Sequence, residues 1–506
     1  MQVIVQAGGK GTRLENFTRN KPKCLVSVKN RPLIFSVFNA FKNHPITVIA
    51  DYKKEVLKDY LSVFGDQYRV RIIDAPGKGT ASGISEAIKE MPESEPVIVV
   101  WCDLYFETDF SLPKNLITEE LNTNFVGLSA SFSCRWCFKN GEFVHEESSS
   151  EGVAGLFVFK NKKELMSVPT EGPLVPWLKK SGINFEPFYL ESVTEVGTIK
   201  SFEEISKGQS GCRPFNQVVF NKDTVTKKGI NSQGIQLGQI EVAWYKHVQP
   251  YGFGFLPKIF SFEPLVMERL KGKNVWEYNC LTYGNKLEIL SKIIQALNEL
   301  HNSCEIKPAN DTDSLETYFD KTFKRLEKIQ SLVPFAKDDF IKINGHYYKN
   351  ILKCKEKIKN LVQSVLPSNF CLIHGDPTFS NTIYDRVNNK VFFIDPRGHF
   401  GDSYFFGDPD YDWAKLYYSL VGNYDQFNRK HFDLTIYSDK VELFILPNNW
   451  QDMEDFFFSS LNGVSKTKIK LLHALIWLSL TTYVWDDFDS ICGAFYKGII
   501  ESQDFL

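Results

Sequence analysis

Residues 372–381 read LIHGDPTFSN, an apolar run that ends in His-Gly-Asp, with an Asn five positions after the Asp. Fourteen residues beyond that Asn, at Asp395, a second apolar run ends in an acid, within VFFIDPRG at 391–398. Two strands that each deliver a carboxylate to a loop suit a metal–phosphate site. Asp376 can accept or orient a hydroxyl proton while that oxygen attacks phosphorus. Asn381 can offer an uncharged oxygen to the same metal, and Asp395 a bridging carboxylate.

The N-terminal stretch carries a different phosphate motif. In MQVIVQAGGKGTRL, Gly8, Gly9 and Gly11 let the backbone turn tightly and approach a ligand. The amides of this loop, followed by Thr12 and Arg13, can cradle phosphates. Lys21 and Lys23, in NKPKCL, can neutralise the charge that builds up during phosphoryl or nucleotidyl transfer. Asp103 ends the apolar run VIVVWCD, where a carboxylate is costly unless it meets a partner or a metal.

GGKGTRL (8–14) with KPK (21–23) resembles the sugar-phosphate and phosphocholine-type nucleotidyltransferases. The resemblance implies Lys23 and Arg13 as catalytic side chains and Ala7, Gly8, Gly9, Gly11 and Thr12 as the nucleotide cradle. It implies Asp103, in WCD, as the first metal-binding acid. EVGTIKSFEEI (195–205) resembles the late Asp-x-Gly-Thr segment of that family, with Glu195 where the family has its second acid. GKGTAS (77–82) resembles the base-binding loop and offers Lys78, Thr80 and Ala81; EGVAGLFVF (151–159) resembles the strand near the acceptor phosphate. In such enzymes an acceptor phosphate oxygen attacks the α-phosphorus of an NTP and pyrophosphate leaves, with no covalent nucleophile.

HGDPTFSN with FFID resembles the eukaryotic-kinase-like small-molecule kinases, as in choline kinases and aminoglycoside phosphotransferases. That resemblance implies Asp376 as base, Asn381 and Asp395 as Mg²⁺ ligands, and His374 as a support of the loop. Further segments follow in family order. Lys227, in TVTKK, is expected to pair with Glu241 in the strand–helix ion pair that holds ATP phosphates, with Lys228 as the adjacent alternative. Ser210, in SKGQSG, falls in the phosphate-covering loop; Glu268, in LVMERLKG, falls in the hinge strand against adenine. Asp412, in GDPDYDWAKLYYS, is expected to orient the catalytic loop. A quaternary ammonium wants an aromatic cage with acids beside it. Trp413, Trp477, Tyr483 and Trp485, with Tyr417, Asp486 and Asp487, are the candidates, and they read equally well as core aromatics.

These residues need elements to hold them. VIVQA (3–7), ITVIA (46–50), VRIIDA (70–75) and VIVVWCD (97–103) read as strands, with helices at LIFSVFNAF (33–41) and SGISEAIKEM (82–91) between them. That alternation predicts a mostly parallel sheet with helices on both faces and ligands beyond the carboxyl ends of the strands. After a polar separator, SFEEISKGQSG, come a hairpin signal at VVFNKDTVTKK and a helix near 235–248. From 285 the chain reads as largely helical, and Leu287, Leu290, Ile294 and Leu297 share one face. The expected fold is an α/β Rossmann-like nucleotidyltransferase domain at 1–202 followed by an α+β two-lobed protein-kinase-like domain at 203–506. Its small lobe ends near 272 and its helical lobe follows.

Composition narrows the partners. A net charge of −2 over 506 residues gives no basic nucleic-acid surface. No apolar run spans a bilayer; LLHALIWLSLTTYVW (471–485) comes nearest and reads as a buried helix. With no signal-peptide pattern, a cytoplasmic protein is expected. Cys134 and Cys137 lack a second ligand pair and read as reduced thiols. Together the resemblances imply a bifunctional enzyme that uses ATP and Mg²⁺ to phosphorylate a small alcohol, choline or a similar amino alcohol. The other domain would join CTP (or another NTP, such as UTP or dTTP) to the phosphate ester for surface glycan synthesis or decoration. The alternative is a sugar or polyol kinase fused to an NDP-sugar or CDP-polyol pyrophosphorylase.

Overall fold

The computed structural model describes residues 1–116, 120–206, 216–304 and 306–506. Ser210 and most of the SKGQSG loop lie outside the described residues. The chain falls into two compact units, Met1–Gln209 with Trp485–Asp489, and Ser210–Val484 with Ser490–Leu506.

The first unit is built on a nine-stranded sheet. Gln2–Gln6 lies between Ile46–Ala50 and Val97–Trp101, and Val70–Asp74 flanks Ile46–Ala50, all parallel. The central strands are apolar on both faces because helices and loops cover both sides. The helix Leu33–Ala40 and the shorter Ile84–Ala87 turn stand where the periodicity predicts. The other half of the sheet is mainly antiparallel. Gly152–Phe159 runs against Val97–Trp101 and against Asn124–Ser129, and a hairpin of Cys137–Lys139 and Glu142–Val144 closes that edge. Phe185–Tyr189 then pairs in parallel with Asn124–Ser129. No crossover helix joins Asn124–Ser129 to Gly152–Phe159, so this half departs from the parallel expectation. Within Gly152–Phe159, Gly155 has φ +95°, and a Cβ there would meet the Trp101 ring at 2.1 Å. Only glycine serves at that point.

The second unit opens with a four-stranded antiparallel sheet in the order Asn216–Phe220, Thr224–Gly229, Leu265–Glu268, Ile259–Phe262. The helix Ser232–Val248 packs on it, capped by Asn231, whose side chain accepts from the Gly234 amide at 2.8 Å. A helical region follows, with Tyr283–His301, Lys321–Ile329, Lys355–Ser364, Pro409–Leu420 and Lys466–Leu480 as its main helices. On Tyr283–His301 the buried face runs through Ile289, Leu290, Ile293, Ile294, Leu297 and Leu300, while Leu287 is only half-buried. The stripe is therefore broader than expected and rotated from Leu287. A second four-stranded sheet, of His346–Lys349, Phe340–Ile343, Val441–Ile445 and Phe432–Ile436, was not expected. The hairpin Thr382–Asp385 with Lys390–Phe393 lies between the HGD loop and Asp395. The architecture is thus an α/β Rossmann-like unit and an α+β, two-lobed kinase-like unit. Among the described residues no helix is long and apolar enough to cross a membrane.

Candidate active sites

In the first unit the Gly-rich loop leaves the carboxyl end of Gln2–Gln6. Ala7 is buried and its amide donates to Ile49 O at 3.0 Å. Gly8 passes so near Asp51 that a Cβ would meet Asp51 Cβ at 2.7 Å. Gly11 takes φ +63°, and a Cβ there would meet Lys23 Cβ at 3.0 Å, so the loop and Lys23 pack as one piece. Thr12 and Arg13 begin the short helical turn that follows. Lys23 is buried, with Nζ 2.9 Å from Asp103 Oδ2. The other carboxylate oxygen of Asp103 is buried without a hydrogen-bond partner. Val193–Glu195 pairs with Leu104–Phe106 so that Glu195 faces Leu104, which sets its carboxylate beside Asp103. Arg13 Nη2 lies 3.5 Å from Glu195 Oε1. Burial, then the Asp103 charge, raises the Glu195 carboxyl above its ordinary value. Two crowded acids, one with a stranded oxygen, fit a divalent cation, because a cation would relieve both the repulsion and the unmet acceptor.

The GKGTAS loop is tied to the same strand end. Gln6 Nε2 donates to Thr80 O at 2.7 Å and to Ser82 O at 3.2 Å. Thr80 Oγ1 accepts from the Leu174 amide at 2.8 Å, the Ala81 amide donates to Gly172 O, and the Lys78 carbonyl accepts from the Gly172 amide. Lys78 is exposed and Ala81 fully buried, so Ala81 and the Thr80 hydroxyl shape the loop while the Lys78 side chain faces solvent. Lys21 does not join Lys23. It is buried with Nζ 2.6 Å from Asp487 Oδ1 and 2.6 Å from Asp489 Oδ2. Burial would lower its ammonium, but the two carboxylates raise it. Lys21 is thus a neutralised anchor within the first unit, and the charge expected of it falls to Lys23.

In the second unit the HGD loop is fixed from below by Asp412, which is fully buried. Asp412 Oδ2 accepts from the His374 amide at 2.9 Å, Oδ1 accepts from the Gly375 amide at 2.7 Å, and His301 Nε2 lies 3.0 Å from Oδ2. His374 is buried, which lowers its imidazole, and the neutral ring accepts the Asp376 amide at Nδ1, 3.3 Å. Asn381 Nδ2 donates to Asp376 O at 2.9 Å and to Asp376 Oδ2 at 3.0 Å. Lys227 Nζ sits 2.8 Å from Glu241 Oε2 and 2.8 Å from Asp395 Oδ1, while Lys228 is exposed. Burial pushes the Glu241 carboxyl up to about 7 despite Lys227, and its Oε1 is buried without a partner. Glu268 ends its strand with its amide bonded to Lys258 O and its carboxylate accepting the Lys258 amide at 3.3 Å. The oxygens of Asp395, which Lys227 contacts, and of Asn381 and Asp376 are hard donors that suit Mg²⁺.

Two side chains that the sequence reading missed stand at this site. Lys415 Nζ lies 3.0 Å from Asp376 Oδ1. Burial would raise the Asp376 carboxyl, but Lys415, Arg397 and His374 together outweigh it and hold the group below its ordinary value. Arg397 donates its amide to His374 O at 2.8 Å and Nη1 to Tyr411 OH at 2.8 Å. The signals were present: Lys415 follows Asp412 by three residues on one helix, and Arg397 follows Asp395 by two.

The aromatic cage does not assemble. Trp477 is fully buried, bonded to His473 and packed against Tyr418 and Phe427. Trp413 is buried edge-on to His301, and Tyr417 is buried with its hydroxyl on Glu454. Trp485 belongs to the first unit, where it packs against Phe35 and Phe64. Asp486 accepts from Ser27, and Asp487 from Lys21. Of the candidates only Tyr483 is exposed. Core packing and a helix that ends at Leu480 explain the difference.

Residues 3–116 match the family described as MobA-like NTP transferase domain, and residues 236–432 match the phosphotransferase enzyme family. Among curated proteins, a D-glycero-alpha-D-manno-heptose 1-phosphate guanylyltransferase of Campylobacter jejuni is 30% identical over 121 residues, 22% of this chain and 52% of that protein. A CTP:phosphoglutamine cytidylyltransferase of the same organism is 37% identical over 67 residues, 13% of this chain and 26% of that protein. The chain therefore spans about half or less of these relatives. Among solved structures, a CTP:phosphocholine cytidylyltransferase from Streptococcus pneumoniae aligns at 20% identity and TM-score 0.34, covering 41% of this chain and 97% of that one.

Proposed function

Because the chain joins an NTP transferase domain to a phosphotransferase domain, we propose that it is a bifunctional enzyme. The second unit phosphorylates a small alcohol with ATP, and the first transfers a nucleotidyl group to the phosphorylated product. The observation that carries this reading is that each unit holds a separate, assembled set. One is Lys23, Asp103 and Glu195; the other is Asp376, Asn381, Asp395 and Lys227. A kinase makes a phosphomonoester and a nucleotidyltransferase consumes one, so consecutive steps in one chain are the economical arrangement.

In the second unit Asp376, kept ionised by Lys415, takes the hydroxyl proton as the alcohol oxygen bonds to the γ-phosphorus and the bond to the ADP oxygen breaks. Asp412 and His374 hold the loop so that the base does not swing away. Lys227, steadied by Glu241, meets the phosphates. In the first unit the phosphate oxygen of the acceptor bonds to the α-phosphorus and pyrophosphate departs with its bridging oxygen. The loop amides and Lys23 neutralise the charge on that phosphorus centre. Mg²⁺, held by Asp103 and Glu195 in one unit and by Asn381 and Asp395 in the other, would supply charge neutralisation for the phosphoryl oxygens.

CTP is the favoured nucleotide, in keeping with the phosphocholine-type resemblance of GGKGTRL and KPK. The product would then be a cytidine diphosphate ester suited to decorating a surface glycan. Choline lost its main support with the aromatic cage, so the alcohol is proposed here only as a small one. The test supplies ATP, CTP and an alcohol panel to the full chain and detects the coupled product by mass. A product carrying both the alcohol and one nucleotidyl group supports the reading. ATP turnover and pyrophosphate release on unrelated compounds would overturn it.

A further inference from the structure

The second unit gathers cations beside Asp376. Lys321 and Arg325 lie one turn apart on the helix Lys321–Ile329. Arg397 rises from the loop after Asp395, its Cβ packed so closely on the HGD loop that a Cβ on Gly375 would meet it at 2.8 Å. Lys415 comes from Pro409–Leu420. Tyr411 joins them: Arg397 bonds its hydroxyl, and the Lys415 ammonium lies 5.7 Å from its ring centroid. Tyr483 also borders Arg325 and Arg397.

Among the described residues Lys415 alone of these cations has a carboxylate partner, Asp376. Among the described residues Lys321, Arg325 and Arg397 form no salt bridge, and all three are half-buried. Arg325 donates to Ser479, through the backbone oxygen and through Oγ at 2.9 Å, which fixes its position without cancelling its charge. Burial, then Arg397, Arg325 and Lys415, drive the Lys321 ammonium down to about 7; Glu316 offsets this only as the smallest influence. Like charges held together out of water are costly unless an anion joins them. Among the described residues no carboxylate comes within salt-bridge distance of these three.

Resting on the kinase reading of this unit, we propose that the alcohol it phosphorylates is itself an anion, whose carboxylate or phosphate group is received by Lys321, Arg325 and Arg397. The hydroxyl then faces Asp376 while the far end is held by cations. A guanidinium pair is the geometry that recognises planar or tetrahedral oxyanions. A cationic amino alcohol would meet repulsion at the same place.

The test assays ADP release by the full chain with four panels: hydroxycarboxylic acids, sugar and polyol phosphates, neutral sugars and polyols, and amino alcohols including choline. The expected result is the highest kcat/KM in one of the two anionic panels, and the panel that responds tells carboxylate from phosphate. Lys321→Gln and Arg325→Gln should each raise KM for that acceptor about tenfold or more, with KM for ATP unchanged. Lys321→Arg should restore it, which separates charge from fold because the Lys321 side chain makes no hydrogen bond among the described residues. A best substrate among neutral or amino alcohols overturns the proposal and leaves the kinase standing. A rise in KM for ATP in place of the acceptor also overturns it, by assigning the cations to the nucleotide. ADP release that no alcohol stimulates removes the kinase reading, and the proposal with it.

Discussion

Lys23 Nζ stands 2.9 Å from Asp103 Oδ2, buried against a carboxylate whose other oxygen has no partner. On the proposed reading, this cation and this half-satisfied acid at the mouth of a Gly-rich loop are the chemical centre of the first unit. Replacing Lys23 by Ala should cut pyrophosphate release about 10²-fold or more, because a buried charge aimed at a transferring phosphoryl group has no solvent substitute. Alcohol-stimulated ADP release should stay at the wild-type rate. Parallel assays on one preparation check both.

The converse holds for Asp376. Asp376→Ala should lower ADP release by about 10²- to 10⁴-fold and leave pyrophosphate release intact when the phosphorylated acceptor is supplied. Loss of both activities in a variant with a wild-type circular dichroism spectrum would sink the two-site reading.

Asp412 accepts two loop amides and faces His301 while fully buried. Asp412→Ala strands those donors and should cost about 3 kcal/mol of stability, together with most of the kinase rate. Urea unfolding of the full chain, followed by fluorescence, checks the first. A wild-type midpoint would show that the loop holds itself.

The second unit should weaken in mild acid. Burial holds the imidazole of His473 down to about 4 despite the Glu501 carboxylate, and burial with Arg397 holds that of His399 down to about 4. In the unfolded chain they titrate near ~6.5. Between those values the unfolded state binds more protons, so stability falls as pH drops from about 6.5 to about 4 and is unaffected above that window. His473 is almost fully buried and accepts a hydrogen bond from Trp477, so it alone accounts for about 3 kcal/mol below pH ~4. His473→Gln should flatten this part of the dependence, read from urea midpoints at neutral and acidic pH.

Gly155→Ala should destabilise the first unit by about 2 kcal/mol or more, because both φ and the Trp101 ring forbid a Cβ. A melting temperature equal to wild type would mean that the strand can shift.

Much of this was legible in advance because the chemistry is local in sequence. The strand runs at 3–7, 46–50, 70–75 and 97–103 needed only their apolar character, and Asp376, Asn381 and Asp395 only their spacing. The antiparallel half of the first sheet was harder. Its hairpin turns on Asn140-Gly141, both at positive φ, a signal that the reading passed over. The unexpected sheet of the second unit has the same kind of turn at Asn344-Gly345, but its other hairpin joins it from beyond residue 430, and no local pattern announces such a pairing. The cage failed for the opposite reason. Aromatics near one another in sequence were read as near one another in space, whereas Trp477 is core and Trp485 packs against Phe35. The cations proposed to receive the anion come from two segments well separated in the sequence, the helix Lys321–Ile329 and the loop after Asp395, so composition alone could not gather them.

The Lys21 anchor has a consequence for how the chain is made. Residues 1–209 leave the ribosome before the second unit, yet their buried Lys21 meets Asp487 and Asp489 only when residues 485–489 follow. At roughly 5–20 residues per second, that wait is on the order of tens of seconds. A nascent chain stalled before residue 485 carries an unfinished first unit with a desolvated ammonium, so stop codons just before that point should damage the first unit as well as the second.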